Sequence, residues 1–465
     1  MVATIGPYPL SGVRMPTWLL RFDKRGACTS PATRAKLLDE LRNRPPSDII
    51  LFSHGWNNDF DAAADMYAEF LRNFEALCVS HSPGRPFDPL FVGVFWPSIW
   101  LSFDNGPQIA AAGGGGPVPD AAVVEALAER LVLAGGDAAL EVVYALLAKD
   151  KLYDGEVHQL ATLVVPAFGT ARDDEAGGGQ RATSADDLVA MLRAMQQAQD
   201  PGALPASPAR IDDWVEPAAS ALAGGATTEV QTAGIFSALD PRNVLRLFSV
   251  YQMKDRAGVV GSRGIAPLLR DLLMATSGGG APVHAVGHSY GCKVVLSAIC
   301  EPTALSRPLD SLLLLQPAVS HLCFADQVPG ANGPGGYAAT LHADRVRGPI
   351  FSTYSRQDFA LHETFHLALR RDGDLGEADI GLATAGEDTT AGKPPSRYAA
   401  LGGYGPRRAR QHLIDPMPKS GEPYPASLAG TAIASFDGSS PGLIGGHGDI
   451  SDTTCAWALH NLIFR

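Results

Sequence analysis

The sequence predicts an α/β protein built on a mostly parallel central sheet flanked by helices. Short apolar runs bounded by turn residues open the chain: "TWLLRF" at 17–22, "DIILFSHGW" at 48–56 and "PLFVGVFWP" at 89–97. Continuous apolar runs of this length suit strands with both faces covered. Helical stretches lie between them, and strands alternating with helices favour parallel pairing through crossovers. Composition agrees, because 46% hydrophobic against 18% charged in 465 residues permits a large buried core.

The elements follow in order. The stretch "SPATRAKLLDELRNR" reads as a helix with Ser30 at its N-cap, between the first two strands. From 101 to 240 the texture changes to a helical insertion. Its segment "PDAAVVEALAERL" puts Val124, Leu127 and Leu131 on one face after an N-cap at Asp120. A second segment, "SADDLVAMLRAM", opens with the Ser184/Asp187 capping-box spacing. It carries Leu188, Met191, Leu192 and Met195 at i, i+3, i+4, i+7. Between these, "TARDDEAGGGQRATS" has the composition of a disordered linker. The α/β texture returns with the helix "SRGIAPLLRDLLMA", the strand "PVHAV", a helix from Cys292 and the strand "SLLLLQPAV". "PIFSTYS" and "GTAIASF" read as two further strands, and "DTTCAWALHNLIF" as a closing helix. Three blocks result: a first core part at 1–100, the helical insertion at 101–240, and a second core part at 241–465 holding an irregular insertion at about 362–425.

Charge and cysteine usage exclude several function classes. The formal charge is −12 and no lysine or arginine run is dense enough for a nucleic-acid track. An acidic surface likewise disfavours anionic membranes. The cysteines Cys28, Cys78, Cys292, Cys300, Cys323 and Cys455 lack C-x-x-C spacing, so neither a zinc site nor a disulfide framework is expected from them. The opening "MVATIGPYPLSGVRMPTW" has no basic start followed by an apolar stretch, and no apolar run reaches the ~18 residues of a membrane span. A cytoplasmic protein without an integral membrane segment is the expectation.

One motif points to chemistry. Gly287-His288-Ser289-Tyr290-Gly291 fits G-x-S-x-G, and so does "GSSPG" at 438–442. A nucleophile elbow needs a strand, a sharp turn and then a helix, with glycines where a Cβ would clash. Ser289 follows "PVHAV" and precedes "CKVVLSAI", which contains no helix breaker, whereas Ser440 is followed by Pro441 and Gly442. Ser289 is therefore the candidate nucleophile.

A serine hydroxyl needs a base and an acid that orients the base. Asp358 follows the strand "PIFSTYS", although a lone Asp there could equally cap the helix "FALHETFHLALRR". His447 lies in the Gly-rich "GLIGGHGDISD" between the last strand and the last helix. His412 and His460 also follow Asp358, but one falls in the irregular insertion and the other inside the closing helix. An oxyanion also needs backbone N–H donors. Tyr290, just after the nucleophile, is one candidate. "LFSHGWNND" supplies the other, Trp56, with Gly55 as fallback, and His54 and His288 are expected to contact substrate.

These residues together resemble the α/β-hydrolase superfamily, among bacterial esterase- or lipase-like proteins with an HGW-type oxyanion loop. The resemblance covers 17–97 and 262–465. It implies an eight-stranded-type sheet, no metal or other cofactor, an acyl-enzyme on Ser289, and a cap role for the helical insertion. The implied activity is cleavage of a carboxylic ester, with a small-molecule or lipid-like substrate. Thioesterase, amidase and acyltransferase activities use the same triad. Apolar helices in the insertion favour medium acyl chains or lipids.

A competing motif belongs to another class. His362-Glu363-Thr364-Phe365-His366 is a literal H-E-x-x-H, which on a helix places two zinc ligands beside a general base, as in a peptidase. No third histidine follows, and Gly373 and Gly376 break the helix before Glu377 or Glu387 could join it. The aromatics Phe95, Trp96 and Trp100 read as core and pocket wall.

Overall fold

The computed structural model describes residues 6–56, 58–98, 120–133, 139–168, 184–186, 188–189, 192–193, 239–277, 280–303, 305–328, 333–348, 350–365, 399–425, 428 and 433–464. Within them, eight strands form one sheet in which every pair is parallel. They are β1 (Thr17–Arg21), β2 (Ile49–Ser53), β3 (Leu90–Phe95), β4 (Val283–His288), β5 (Ser311–Leu315), β6 (Ile350–Tyr354), β7 (Gln411–Ile414) and β8 (Ile433–Asp437). Their order across the sheet is β1-β3-β2-β4-β5-β6-β8-β7.

The continuous apolar runs are explained by burial on both faces. In β2, Ile49 and Leu51 join one apolar cluster while Ile50 and Phe52 join the other. In β5, Leu312 and Leu314 face the first cluster and Leu313 and Leu315 the second. Helices cover both sides. The second face carries α2 (Phe60–Ser80) and the closing helix. The first carries α1 (Pro31–Asn43), a long helical segment at 242–275, and the helix that follows Ser289.

In the 101–240 region the described helices are α3 (Asp120–Leu133), α4 (Leu140–Leu147) and α5 (Asp154–Phe168). Leu127, Leu131, Leu160 and Val164 are buried in the same apolar cluster as β1 and β4. Asp120 is the first helical residue of α3. Leu188 N–H donates to the Ser184 carbonyl at 3.1 Å, and Leu188 and Leu192 are buried. Asp187, Met191, Met195, Trp100 and the linkers at 111–119 and 170–183 lie outside the described residues.

The long segment comprises α6 (Arg242–Val260), a π-helical turn (Gly261–Ile265) and α7 (Ala266–Ala275). It packs on α8 (Tyr290–Ile299), where Gly261 leaves no room for a Cβ against the Val294 carbonyl. The expected helix at 262–275 is thus this turn plus α7. Ser30 does stand at the N-cap of α1, but its hydroxyl accepts the Arg21 N–H at 2.9 Å instead of a helix amide. It pins the end of β1.

Two expectations change. Residues 411–414, read as part of an irregular insertion, are the edge strand β7, paired with β8. A short helix, α9 (Leu401–Tyr404), precedes it, while 366–398 lie outside the described residues. The strand expected to run to 319 stops at Leu315, because Gln316 takes the left-handed value φ 42°. The chain closes with α10 (Thr453–Ile463), capped by Asp452 on Cys455 N–H at 2.8 Å. Among the described residues no helix is long and apolar enough to cross a membrane.

Candidate active site

The chemistry-bearing residues gather at the C-terminal ends of β2, β4, β5, β6 and β8, where an open parallel sheet presents its loops. Ser289 is the single residue between β4 and α8, with φ 55° and ψ −127°. Such a conformation costs a non-glycine residue about 1–3 kcal/mol and must be held by its surroundings. Ser289 N–H donates to the Leu315 carbonyl at 3.1 Å, and the Ser289 carbonyl accepts from Cys292 and Ala318 N–H. Glycine is required on both sides. A Cβ at Gly287 would sit 2.7 Å from Cys292 Cα, and one at Gly291 would overlap the Ser53 carbonyl. Ser440, the rival motif, instead lies in a turn that leads to Gly442 at φ 81°.

His447 and Asp358 complete a chain of hydrogen bonds with the serine. Asp358 Oδ2 accepts from His447 Nδ1 at 2.7 Å, and His447 Nε2 lies 2.8 Å from Ser289 Oγ. The carboxylate can only accept, so Nδ1 carries the proton and Nε2 offers its lone pair to the hydroxyl. Ser289 and Asp358 are buried, and His447 is 9% exposed. Capping and orienting turn out to be compatible in Asp358: its Oδ1 accepts Leu361 N–H at 3.1 Å, at the start of the π-helical turn Ala360–Thr364, while Oδ2 faces the histidine.

The loop after β2 packs directly on the serine. A Cβ at Gly55 would lie 2.8 Å from Ser289 Cβ. The Gly55 carbonyl accepts from His54 Nδ1 at 2.8 Å and from Asn58 Nδ2 at 3.3 Å, and Asn58 Nδ2 also reaches the Trp56 carbonyl at 3.1 Å. In a trans peptide the N–H points opposite the carbonyl, so Trp56 N–H faces away from those two side chains. Tyr290 N–H stands at the first turn of α8, and its ring lies 6.2 Å from that of Trp56.

His54 and His288, expected as substrate contacts, are both buried and hold backbone instead. His54 Nε2 accepts Trp96 N–H at 3.4 Å, and its ring stacks on the Trp96 indole. With Nδ1–H already donated to Gly55, protonating Nε2 would set two donors face to face. Burial with no counter-charge lowers His54 to about 4. His288 Nε2 donates to the His447 carbonyl at 2.9 Å. Burial, with His447 close by, keeps His288 well below its ordinary range and therefore neutral.

Sequence reasoning missed several contributors. Tyr67 on α2 accepts His54 N–H at 2.9 Å and places its hydroxyl on the Phe52 and Val94 carbonyls, joining the ends of β2 and β3. Asn58 is held by Ser98, whose Oγ lies against both its N–H and its carbonyl. Gln316 Nε2 donates to Asp358 Oδ2 and to the Gly446 carbonyl. "HGWNND" was the available signal for Asn58. Nothing in the sequence marked Tyr67 or Gln316.

Of the H-E-x-x-H motif, His362 stacks on Tyr404 with ring centroids 4.3 Å apart. The Glu363 side chain, His366, Glu377 and Glu387 lie outside what is described. His412 sits on edge strand β7, and His460 is turned to the His81 carbonyl at 2.9 Å. None of the six cysteines forms a disulfide, and burial pushes Cys78 up to about 12.

The fold and these contacts define an all-parallel α/β protein with a buried Ser–His–Asp relay at the C-terminal edge of its sheet. No protein-family model, curated protein or solved structure matches the chain.

Proposed function

We propose that this chain is a serine hydrolase of the α/β-hydrolase superfamily that cleaves carboxylic esters through an acyl-enzyme on Ser289. The observation that carries the reading is the relay of 2.8 Å from Ser289 Oγ to His447 Nε2 and 2.7 Å from His447 Nδ1 to Asp358, on a serine with a strained backbone. The chain order Ser, Asp, His, in the loops after β4, β6 and β8, supports the same assignment.

As Ser289 Oγ attacks the ester carbonyl carbon, its proton moves to His447 Nε2. The carbonyl π electrons pass to oxygen, where Trp56 and Tyr290 N–H groups take the charge. Collapse re-forms the carbonyl and breaks the bond to the alcohol oxygen, which leaves with the proton from His447. Water then repeats the sequence, giving its proton to His447, and the acid departs as Ser289 is re-protonated. Asp358 keeps the imidazole in its productive tautomer throughout.

A fluorophosphonate tests this, because Ser289 attack expels fluoride and leaves a stable phosphonyl adduct. Intact mass followed by peptide mapping should place one adduct on Ser289, abolished in His447→Ala. A folded protein that stays unlabelled while its hydrolysis is lost to a zinc chelator would overturn the triad in favour of the histidines of H-E-x-x-H.

A further inference from the structure

We propose that Gln316 is a positioning residue that sets the Asp358–His447 pair, holding the acid and the loop of the base in one register. The proposal rests on the serine-hydrolase reading above. Gln316 directly follows β5, is fully buried, and donates from one nitrogen to two acceptors. Nε2 lies 3.1 Å from Asp358 Oδ2 and 2.8 Å from the carbonyl of Gly446, the residue just before His447. Two acceptors on one side fix which end of the amide faces them, because only the NH2 group can serve both.

That orientation has consequences that packing alone would not select. Gln316 Oε1 is left buried without a hydrogen-bond partner among the described residues, and the backbone adopts φ 42°. Both features are unfavourable, and strained residues of this kind collect at functional sites. The conformation is held from several directions. Gln316 N–H donates to Thr353 Oγ1 at 3.0 Å, and Gly402 N–H donates to the Pro317 carbonyl at 2.9 Å. The neighbours Leu315 and Ala318 are both hydrogen-bonded to Ser289. Gln316 therefore touches the acid and the base loop through its side chain, while its own loop is laced to the nucleophile.

The loop of the base is clamped at two further carbonyls. Ser355 Oγ donates to Ile444 at 2.7 Å and His288 Nε2 to His447 itself. Gln316 differs from these two in that its side chain also reaches the Asp358 carboxylate, whereas Ser355 meets Asp358 only through its backbone carbonyl, which accepts Asp358 N–H at 3.2 Å. Gln316 Nε2–H shares the Oδ2 atom with His447 Nδ1–H, so it limits how far the carboxylate can rotate and how much charge it presents to the imidazole. The ionisable groups around His447 are Asp358 in front of it, His288 behind it and Asp449 on its own loop.

The rate of fluorophosphonate labelling of the full chain, measured against pH, reads this role. Gln316→Met keeps the length and removes the donor. Losing a hydrogen bond to a charged group corresponds to a rate loss of about tenfold to a hundredfold. The labelling rate should fall by that factor while the final extent of labelling stays complete. Its pH midpoint should rise, because the undivided Asp358 charge favours the imidazolium. Gln316→Glu supplies the second readout. Protonated, it donates to Asp358 and restores part of the rate at low pH; ionised, it cannot, so its rate relative to wild type should fall as pH rises. A labelled wild type whose Met variant keeps both rate and midpoint, or a Glu variant with a pH-independent ratio, would overturn the role of Gln316 alone. An unlabelled wild type would overturn the hydrolase reading and this one together.

Discussion

Asp358 shows how much a single side chain settles here, because its two oxygens serve different masters. Oδ1 caps the turn that follows β6, and Oδ2 orients His447. These roles separate by mutation. In Asp358→Asn the amide oxygen can still take the Leu361 N–H, but the NH2 group cannot accept from His447 Nδ1–H. The labelling and turnover rates should drop by about 10⁴, the loss known for the equivalent change in a serine-protease triad. The melting temperature should fall, reflecting the cost of leaving His447 Nδ1–H and Gln316 Nε2–H without their acceptor, about 1–3 kcal/mol. Asp358→Ala should lose the same rate and, in addition, about 1 kcal/mol of stability for the cap. Equal melting temperatures for the two variants would mean that the cap contributes nothing.

At the scale of an element, the loop after β2 is shaped by groups buried beneath it. His54 and Asn58 fasten the Gly55 carbonyl, and Tyr67 fastens the root of the loop to β2 and β3. Only then does Trp56 N–H turn away from them. Asn58→Ala should free the Trp56 carbonyl, leave the Gly55 carbonyl to His54 alone, and lower the hydrolysis rate by up to about 100-fold, within the loss expected for one oxyanion donor. The substrate concentration for half-saturation should change little, since the donor acts on charge that develops in the transition state. Steady-state kinetics on a chromogenic ester separates the two parameters, and a loss confined to half-saturation would place Asn58 in substrate binding instead.

For the whole molecule, buried ionisable groups dictate how stability depends on pH. His54 sits at about 4 when folded against 6.5 for a free histidine. The unfolded chain therefore binds this proton first, and the stability is complete above 6.5 and lost as pH falls towards 4. The shift corresponds to about 3 kcal/mol. At the opposite edge of the sheet Asp48 is buried, which by itself would raise it. Hydrogen bonds from His284, Arg85 and Ser47 more than offset this and hold it at about 2, against 3.8 unperturbed. Its contribution, about 2 kcal/mol, persists above 3.8 and disappears between there and 2. Urea unfolding should thus weaken in two steps, the first below pH 6.5 and the second below pH 4. The second should be missing in Asp48→Asn, and an unchanged acid limb in that variant would remove Asp48 from the account.

The amino-acid order by itself determined the strands, the elbow and the triad candidates, because these are local. Apolar runs such as 49–53 and 311–315 are continuous only when both faces are buried, and Gly287, Ser289 and Gly291 stand within five residues of each other. Two local readings fell short. Residues 411–414 are four half-buried residues at an edge, too weakly patterned to stand out as β7. His54 and His288 looked like ligands because sequence cannot say which way a ring turns. Tertiary structure alone decided what spans long separations: His447 meeting Ser289 across 158 positions, and Gln316 reaching both Asp358 and Gly446. Hydrogen bonding at 3 Å depends on where the sheet delivers each loop, and that delivery is a property of the whole parallel array.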